Sequence, residues 1–365
     1  MRMKAAALLI ILVECKTAFG LTELFERKAI VDVMTAAAEW QLAHPSKHPP
    51  YDWTQAPFYI GLNAFAPLSR DSQRYRNAVR RNGEDNRWRP GLRPLCADDH
   101  AITQSYFLLH RVENDPAMIY PALMMLDQVI RFPFDESLEY EDDEKTWRQW
   151  TWCDALFMSP PALAMAAKAT SDPRYLDFMN KMWWKTTDYL YDKEEHLYYR
   201  DSRFFTQRSA NGRKIFWSRG NGWVLAGLAR VLQEMPADYR DRGRYERLFR
   251  EMASRIVTLQ QSDGYWRTSL LDPESLPLPE TSGTAFYVYA LAWGVNQRLL
   301  ERPSVDPVIR RGWAALVRAM HPDGMLGYVQ QINDQPGQTS AAETEIYGVG
   351  ALLLAGSEVH RLAVN

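Results

Sequence analysis

The most constraining feature of the chain is a unit that keeps returning: an amphipathic helix, a turn, a short extended piece, another helix. Phe249, Met252, Ile256 and Leu259 fall on one helix face, as do Ile309, Trp313, Leu316 and Met320, and Phe286, Tyr289, Ala290 and Trp293. The same period predicts helices over 22–43, 53–67, 99–112, 116–131, 154–169, 173–191, 221–235, 242–261, 282–300, 304–320 and 343–361. In the fifth of these, Ser159 and Pro160 read as an N-cap and first helical position, so 154–158 forms a separate turn feeding it. Between helices stand HLYYRDS from 196, DGYWRTS from 263 and DGMLGYVQ from 323, each a short extended piece after a turn. Their spacing of about sixty residues is one helix pair plus a connection, and six such units use up the chain. Helix pairs that repeat without forming an open array close on themselves. The expected fold is all-α, an (α/α)6 barrel of six helical hairpins. No Pro/Gly/Ser linker divides it, so one domain is expected over 21–365, with the acidic run DESLEYEDDEK (135–145) as a rim loop.

Residues 1–20 read differently. MRMKAAALLIILVECKTAFG places Arg2 and Lys4 before an apolar run from Ala5 to Val13, with Ala18 and Gly20 offering the small residues a signal peptidase reads. The run is too short to span a bilayer, so no membrane insertion is expected. A cleaved signal peptide over 1–20 and a periplasmic or secreted product are expected; the alternative is a first helix of a cytoplasmic protein. A net charge of −2 removes any electrostatic case for nucleic acid or an anionic membrane. Cleavage leaves Cys96 and Cys153, with no CxxC and no metal-spaced cluster, so neither metal nor cofactor is expected. Aromatic residues reach 12%, including 13 Trp and 18 Tyr; a thick core uses many of them, and a sugar-binding cleft is the other use.

Four stretches interrupt the helical pattern with polar groups. In CADDHA (96–101), Asp98, Asp99 and His100 could ligate a metal, or a carboxylate could cap the helix that follows. In WTWCDALFM (150–158), Asp154 is flanked by Trp150, Trp152, Leu156 and Phe157. A carboxyl so poorly solvated keeps its proton, which suits a general acid; an N-cap role is the alternative. In WSRGNGWVLAGL (217–228), Trp217, Arg219, Asn221 and Trp223 surround Gly220 and Gly222. A glycine turn there lets the backbone approach a ligand while Arg219 offers a guanidinium beside a helix N-terminus. The bland alternative is a helix start with an exposed arginine and a core tryptophan. In ETSGTAFYVYALAWGVN (280–296), Glu280 is either catalytic or part of a cap, and no GxSxG is present.

Together and in this order, ADDHA, WCDALFMSPPALA, FWSRGNGWVLAGLARVL, ETSGTAFYVYALAWGVNQ and YGVGALLLAGSEV resemble the unsaturated uronyl hydrolases of glycoside hydrolase family 105 and, more distantly, the unsaturated glucuronyl hydrolases of family 88. The resemblance runs from residue 96 to residue 359 and implies an (α/α)6 barrel. It implies removal of a C4=C5-unsaturated uronic acid from the non-reducing end of lyase-generated oligosaccharides, by hydration of the vinyl ether. The anomeric carbon is not attacked, so the two-carboxylate geometry of ordinary glycosidases is not the template. The resemblance places the proton donor at Asp154 and a second active-site carboxylate at Asp98 or Asp99. It puts substrate contacts at Arg219, Trp217 and Trp223, with Asn221, His100, Arg200 and Trp152 around them. The implied partner is the oligosaccharide itself. Two family histidines are missing: one position falls near Asp143, the other on Arg200 of YYRDS. These departures bear on specificity, leaving rhamnogalacturonan, ulvan, glucuronan and arabinogalactan fragments open. The rival functions are a sugar epimerase or isomerase, which would want histidine pairs; a lyase using Arg219 with Tyr198 or Tyr199; and a non-catalytic glycan-binding toroid.

Overall fold

The computed structural model describes residues 23–132, 135–141, 143 and 147–363; the leader expected over 1–20 lies outside them. The helices are α1 (Arg27–Ala43), α2 (Ala56–Phe65), α3 (Ser72–Asp85), α4 (Thr103–Glu113), α5 (Tyr120–Arg131), α6 (Ala155–Met158), α7 (Pro160–Thr170), α8 (Pro173–Leu190), α9 (Ser218–Glu234), α10 (Arg242–Thr258), α11 (Thr281–Asn296), α12 (Arg302–Arg318) and α13 (Ile346–Leu362). The break at Ser159–Pro160 between α6 and α7 falls where the sequence puts it.

Helices alternate between an inner and an outer position. The inner ring runs α2, α4, α6–α7, α9, α11, α13, each packed on the next, and α13 closes back on α2. Outer helices α1, α3, α5, α8, α10 and α12 lean on this ring. The all-α toroid expected from the repeat is the fold that forms. Its cause is visible residue by residue. Every residue of α11 from Thr281 to Val295 is buried, and so is every residue of α13 from Ile346 to Val359. Outer α10 buries one stripe only: Tyr245, Leu248, Phe249, Met252, Ala253 and Ile256. Helix α3 has no counterpart among the helices that the apolar period predicts. Its SQRYRNAVRRNGED buries only two apolar side chains of any size, Tyr75 and Val79, which is too thin a stripe to read as a helix. Asp71 nevertheless caps it by accepting from the Arg74 amide, and it supplies the outer partner of α2 and α4.

The three repeated pieces lead from outer helices back to inner ones. The first forms the antiparallel pair β1 (Tyr191–Asp192) and β2 (Leu197–Tyr198). The others make single bridges, Trp217 with Ser269 and Met320 with Leu326, and each piece follows a turn at a glycine of positive φ, Gly264 at 93° and Gly324 at 99°. The N-termini of the inner helices consequently gather at one end. Trp53, just before α2, stacks on Tyr347 of α13 at 5.5 Å between ring centroids. The Tyr287 hydroxyl of α11 donates to the Ser218 carbonyl of α9 at 2.6 Å. Among the described residues, no helix is long and apolar enough to cross a membrane.

Candidate active site

Asp98, Asp99 and Asp154 all lie at this end, and none of the three caps a helix. Asp154 occupies the cap position of α6, yet its side chain takes no capping hydrogen bond. Asp98 and Asp99 lie inside a short 3-10 turn, Ala97–His100, whose cap position is Cys96. The capping alternative therefore fails for all three. The two neighbours then part ways. Asp99 turns back to Arg93, accepting from its backbone amide at 2.5 Å and from Nη2 at 2.7 Å, while the Arg93 guanidinium lies over the Trp147 ring. Asp98 faces Asp154 instead. Burial, and then the Asp154 charge, push its carboxyl up to about 7. Burial also raises Asp154, against the opposing pull of the Arg200 and Arg219 charges. Two such carboxyls titrate as a unit, and Asp98 keeps its proton well above the ordinary carboxylate range.

The surroundings of Asp154 are specific. The Cys153 thiol donates to Oδ2 at 3.5 Å, and Arg200 Nε stands 3.6 Å from the same oxygen, too far for a hydrogen bond. The Cys153 amide donates to the Arg200 carbonyl at 2.8 Å, which ties the Asp154 segment to the loop after β2. Trp152 is buried beside it.

The WSRGNGW stretch corrects the sequence reading. There is no glycine turn: α9 begins at Ser218, so Gly220 and Gly222 are helical. What they permit is close approach. A Cβ on Gly220 would lie 3.0 Å from the Trp217 ring and 3.1 Å from Cys153 Sγ. Arg219 is fully buried, not exposed. Its Nη1 donates to the Gln330 carbonyl at 2.7 Å and its Nη2 to the Gln331 carbonyl at 3.1 Å, with the guanidinium between the Trp217 and Tyr347 rings. It clamps the 330–333 segment, and only its buried Nε makes no hydrogen bond. Trp217 Nε1 donates to Gln330 Oε1 at 2.8 Å. Trp223 is buried against Phe157 and Phe286 and is core, not an open stacking face.

Two further expected contacts do not reach the open end. Asn221 is fully buried and spent on backbone: it accepts from the Tyr198 amide and donates to the Tyr198 and Trp217 carbonyls. His100, also fully buried, donates from Nε2 to the Pro94 carbonyl, which leaves Nδ1 to accept from the Ser159 hydroxyl. Burial lowers its pKa, so it is a neutral strut between the Asp98 turn and α7. Trp53, not among the residues that the sequence singles out, is half-buried at the mouth with its ring on Tyr347 and edge-on to Trp223. Its signal was available: YDWTQ immediately before an inner helix.

A helical toroid with a proton-holding carboxyl pair, buried guanidinia and aromatic rings at one end defines a carbohydrate-active hydrolase. Residues 25–363 match the family model described as Glycosyl Hydrolase Family 88, and the chain belongs to that family. It is 43% identical to an unsaturated 3S-rhamnoglycuronyl hydrolase of Formosa agariphila over 350 residues, 90% of either chain. It is 37% identical to a hydrolase of the same description from an Alteromonas species, over 89% of this chain and 84% of that one. A solved structure described as a polysaccharide lyase superposes with a TM-score of 0.83 at 32% identity, covering 92% of this chain and 98% of the other.

Proposed function

We propose that this hydrolase removes a C4=C5-unsaturated uronic acid from the non-reducing end of oligosaccharides whose next sugar is a sulfated rhamnose. The observation that carries the chemistry is the Asp98–Asp154 pair, in which burial raises both carboxyls. Asp154 in its acid form gives its proton to C4, and positive charge develops at C5 beside the ring oxygen. Water adds at C5 and returns a proton to the Asp154 carboxylate. The resulting hemiketal opens to a 5-keto sugar, and the aglycone leaves from C1 as a free hydroxyl. One water is consumed, and Asp154 ends as it began. Asp98 holds the water or sugar hydroxyls opposite it, and Trp53 supplies the ring face. The sulfated neighbour is supported by the names of the two relatives. The leader motif supports export, which N-terminal sequencing of the mature protein from its host would test.

The lyase description of one structural relative favours a second reading, but the residues it needs are occupied. Tyr198 is buried with its hydroxyl on Thr187 at 2.8 Å, and the Tyr199 hydroxyl donates to Asp192 at 3.1 Å. The ultraviolet absorbance of the conjugated double bond separates the two: a hydrolase consumes it and a lyase creates it. Wild type should bleach an unsaturated uronyl–rhamnose 3-sulfate disaccharide, and Asp154→Asn should be slower by about 10²–10⁴-fold. Rising absorbance on a saturated polysaccharide would replace hydration with elimination.

A further inference from the structure

Asp201, next to Arg200, has no exposure to solvent. Its Oδ2 accepts from Arg200 Nη1 at 2.8 Å. Arg203 grips the same carboxylate from the other side, Nε to Oδ1 at 2.9 Å and Nη2 to Oδ2 at 2.8 Å, and reaches Asp334 at 2.6 Å. The Tyr140 ring lies 5.0 Å from the Arg200 guanidinium and 4.3 Å from that of Arg203. Charges therefore alternate from the site outward: Asp154, Arg200, Asp201, Arg203, Asp334. Asp201 holds one edge of Arg200, and the buried Nε on another edge stays 3.6 Å from Asp154 without bonding to it.

We propose, resting on the hydration chemistry above, that Asp201 is a positioning residue that draws the Arg200 charge away from Asp154 and so leaves Asp154 able to carry its proton. An arginine spent wholly on Asp154 would hold that carboxyl ionised and useless as an acid, since an adjacent guanidinium lowers a carboxyl by about 1–3 pH units. The groups facing Asp154 are Asp98 from the 97–100 turn, Cys153 from its own segment, Arg200 from the loop after β2 and Arg219 from α9. Those facing Arg200 are Asp154, Asp201 and Tyr140, with Asp98 and Asp334 further off.

Two substitutions pull this arrangement in opposite directions. Asp201→Asn releases Arg200 toward Asp154, lowers the Asp154 pKa and moves the alkaline limb of the rate profile down. Arg203→Met leaves Asp201 with Arg200 as its one strong partner, weakens the Arg200 pull on Asp154 and moves that limb up. The experiment is the pH dependence of kcat for bleaching of the unsaturated disaccharide by wild type, Asp201→Asn and Arg203→Met, with folding checked by circular dichroism. The expected displacement is about one pH unit for Asp201→Asn, a rate lower by about tenfold above the limb, and a smaller upward displacement for Arg203→Met. A merely structural role lowers kcat in both and leaves the limb in place. Limbs that stay put, or move the same way, overturn the assignment. If Asp201→Asn does not fold, Arg203→Met decides: an upward limb supports the role, and an unmoved or lowered one overturns it. An inactive wild type would overturn the hydration reading and this role with it, whereas an active wild type with unmoved limbs overturns this role alone.

Discussion

Asp98 works against the fold at neutral pH. Its folded carboxyl titrates near 7 against an ordinary 3.8, so the native state holds the proton longer than the unfolded chain does. The sign follows: its contribution to stability is fully present below pH 3.8 and is lost as pH rises through 7. Asp98→Asn removes the penalty while keeping the shape. Its thermal midpoint should exceed that of wild type by about 2–5 °C at pH 8 and match it at pH 4, while turnover falls. Thermal unfolding at the two pH values checks this, and a lower midpoint at both would mean that the fold relies on contacts of the Asp98 carboxyl that an amide does not replace. The same residue shows how far the sequence could be read. The apolar setting of Asp154 was legible because its apolar neighbours adjoin it in the chain. The choice between Asp98 and Asp99 was not, because it depends on Arg93 folding back over Asp99. The burial of Arg219 was equally hidden: the carbonyls that hold it lie more than a hundred residues away.

At the scale of elements, the ambiguous stretch was ETSG, and there the cap wins. Glu280 is fully buried; Oε1 accepts from the Ser282 amide at 2.8 Å and Oε2 from the Gly283 amide at 2.7 Å, at the start of α11. Its charge also sits at the positive end of a fifteen-residue buried run. Glu280→Ala should cost about 1–3 kcal/mol, since it orphans two buried amides, and Glu280→Gln should cost less. Denaturant unfolding measures the loss. Turnover per folded molecule should stay within severalfold of wild type in Glu280→Gln, and a collapse of kcat in a stable Glu280→Gln would give Glu280 a chemical role after all. Most helices were legible because each carries an apolar stripe of its own. Helix α3 was not: its place is set by what α2 and α4 leave uncovered, and a polar segment does not announce that.

The molecule as a whole stands on closure of the inner ring, where the last helix meets the first inner one. The seam is backbone against backbone. A Cβ on Gly350 of α13 would lie 2.2 Å from the Pro57 carbonyl carbon and 2.3 Å from the Phe58 nitrogen of α2, and one on Gly61 would lie 2.7 Å from the Gly350 carbonyl oxygen. Neither helix can retreat without disturbing its other neighbour, because a closed ring has no free end to absorb the shift. Gly350→Ala should therefore cost about 3 kcal/mol or more, at the upper end for an overpacked core. The strain should also reach the candidate site, since Trp53 lies three residues before the start of α2 and stacks on Tyr347 of α13. A raised KM on the unsaturated disaccharide is expected alongside the lower unfolding midpoint. Gly243→Ala is the internal control: near the start of outer α10, its Cβ would meet nothing nearer than Arg247 Nη1 at 3.7 Å. That substitution should change stability by no more than about 0.5 kcal/mol, in the favourable direction, because alanine gives up less chain entropy than glycine on entering a helix. Paired unfolding curves for the two variants test the seam directly. If Gly350→Ala proves as mild as Gly243→Ala, the ring is not held by close contact at that point, and its stability must come from side-chain packing between successive inner helices instead.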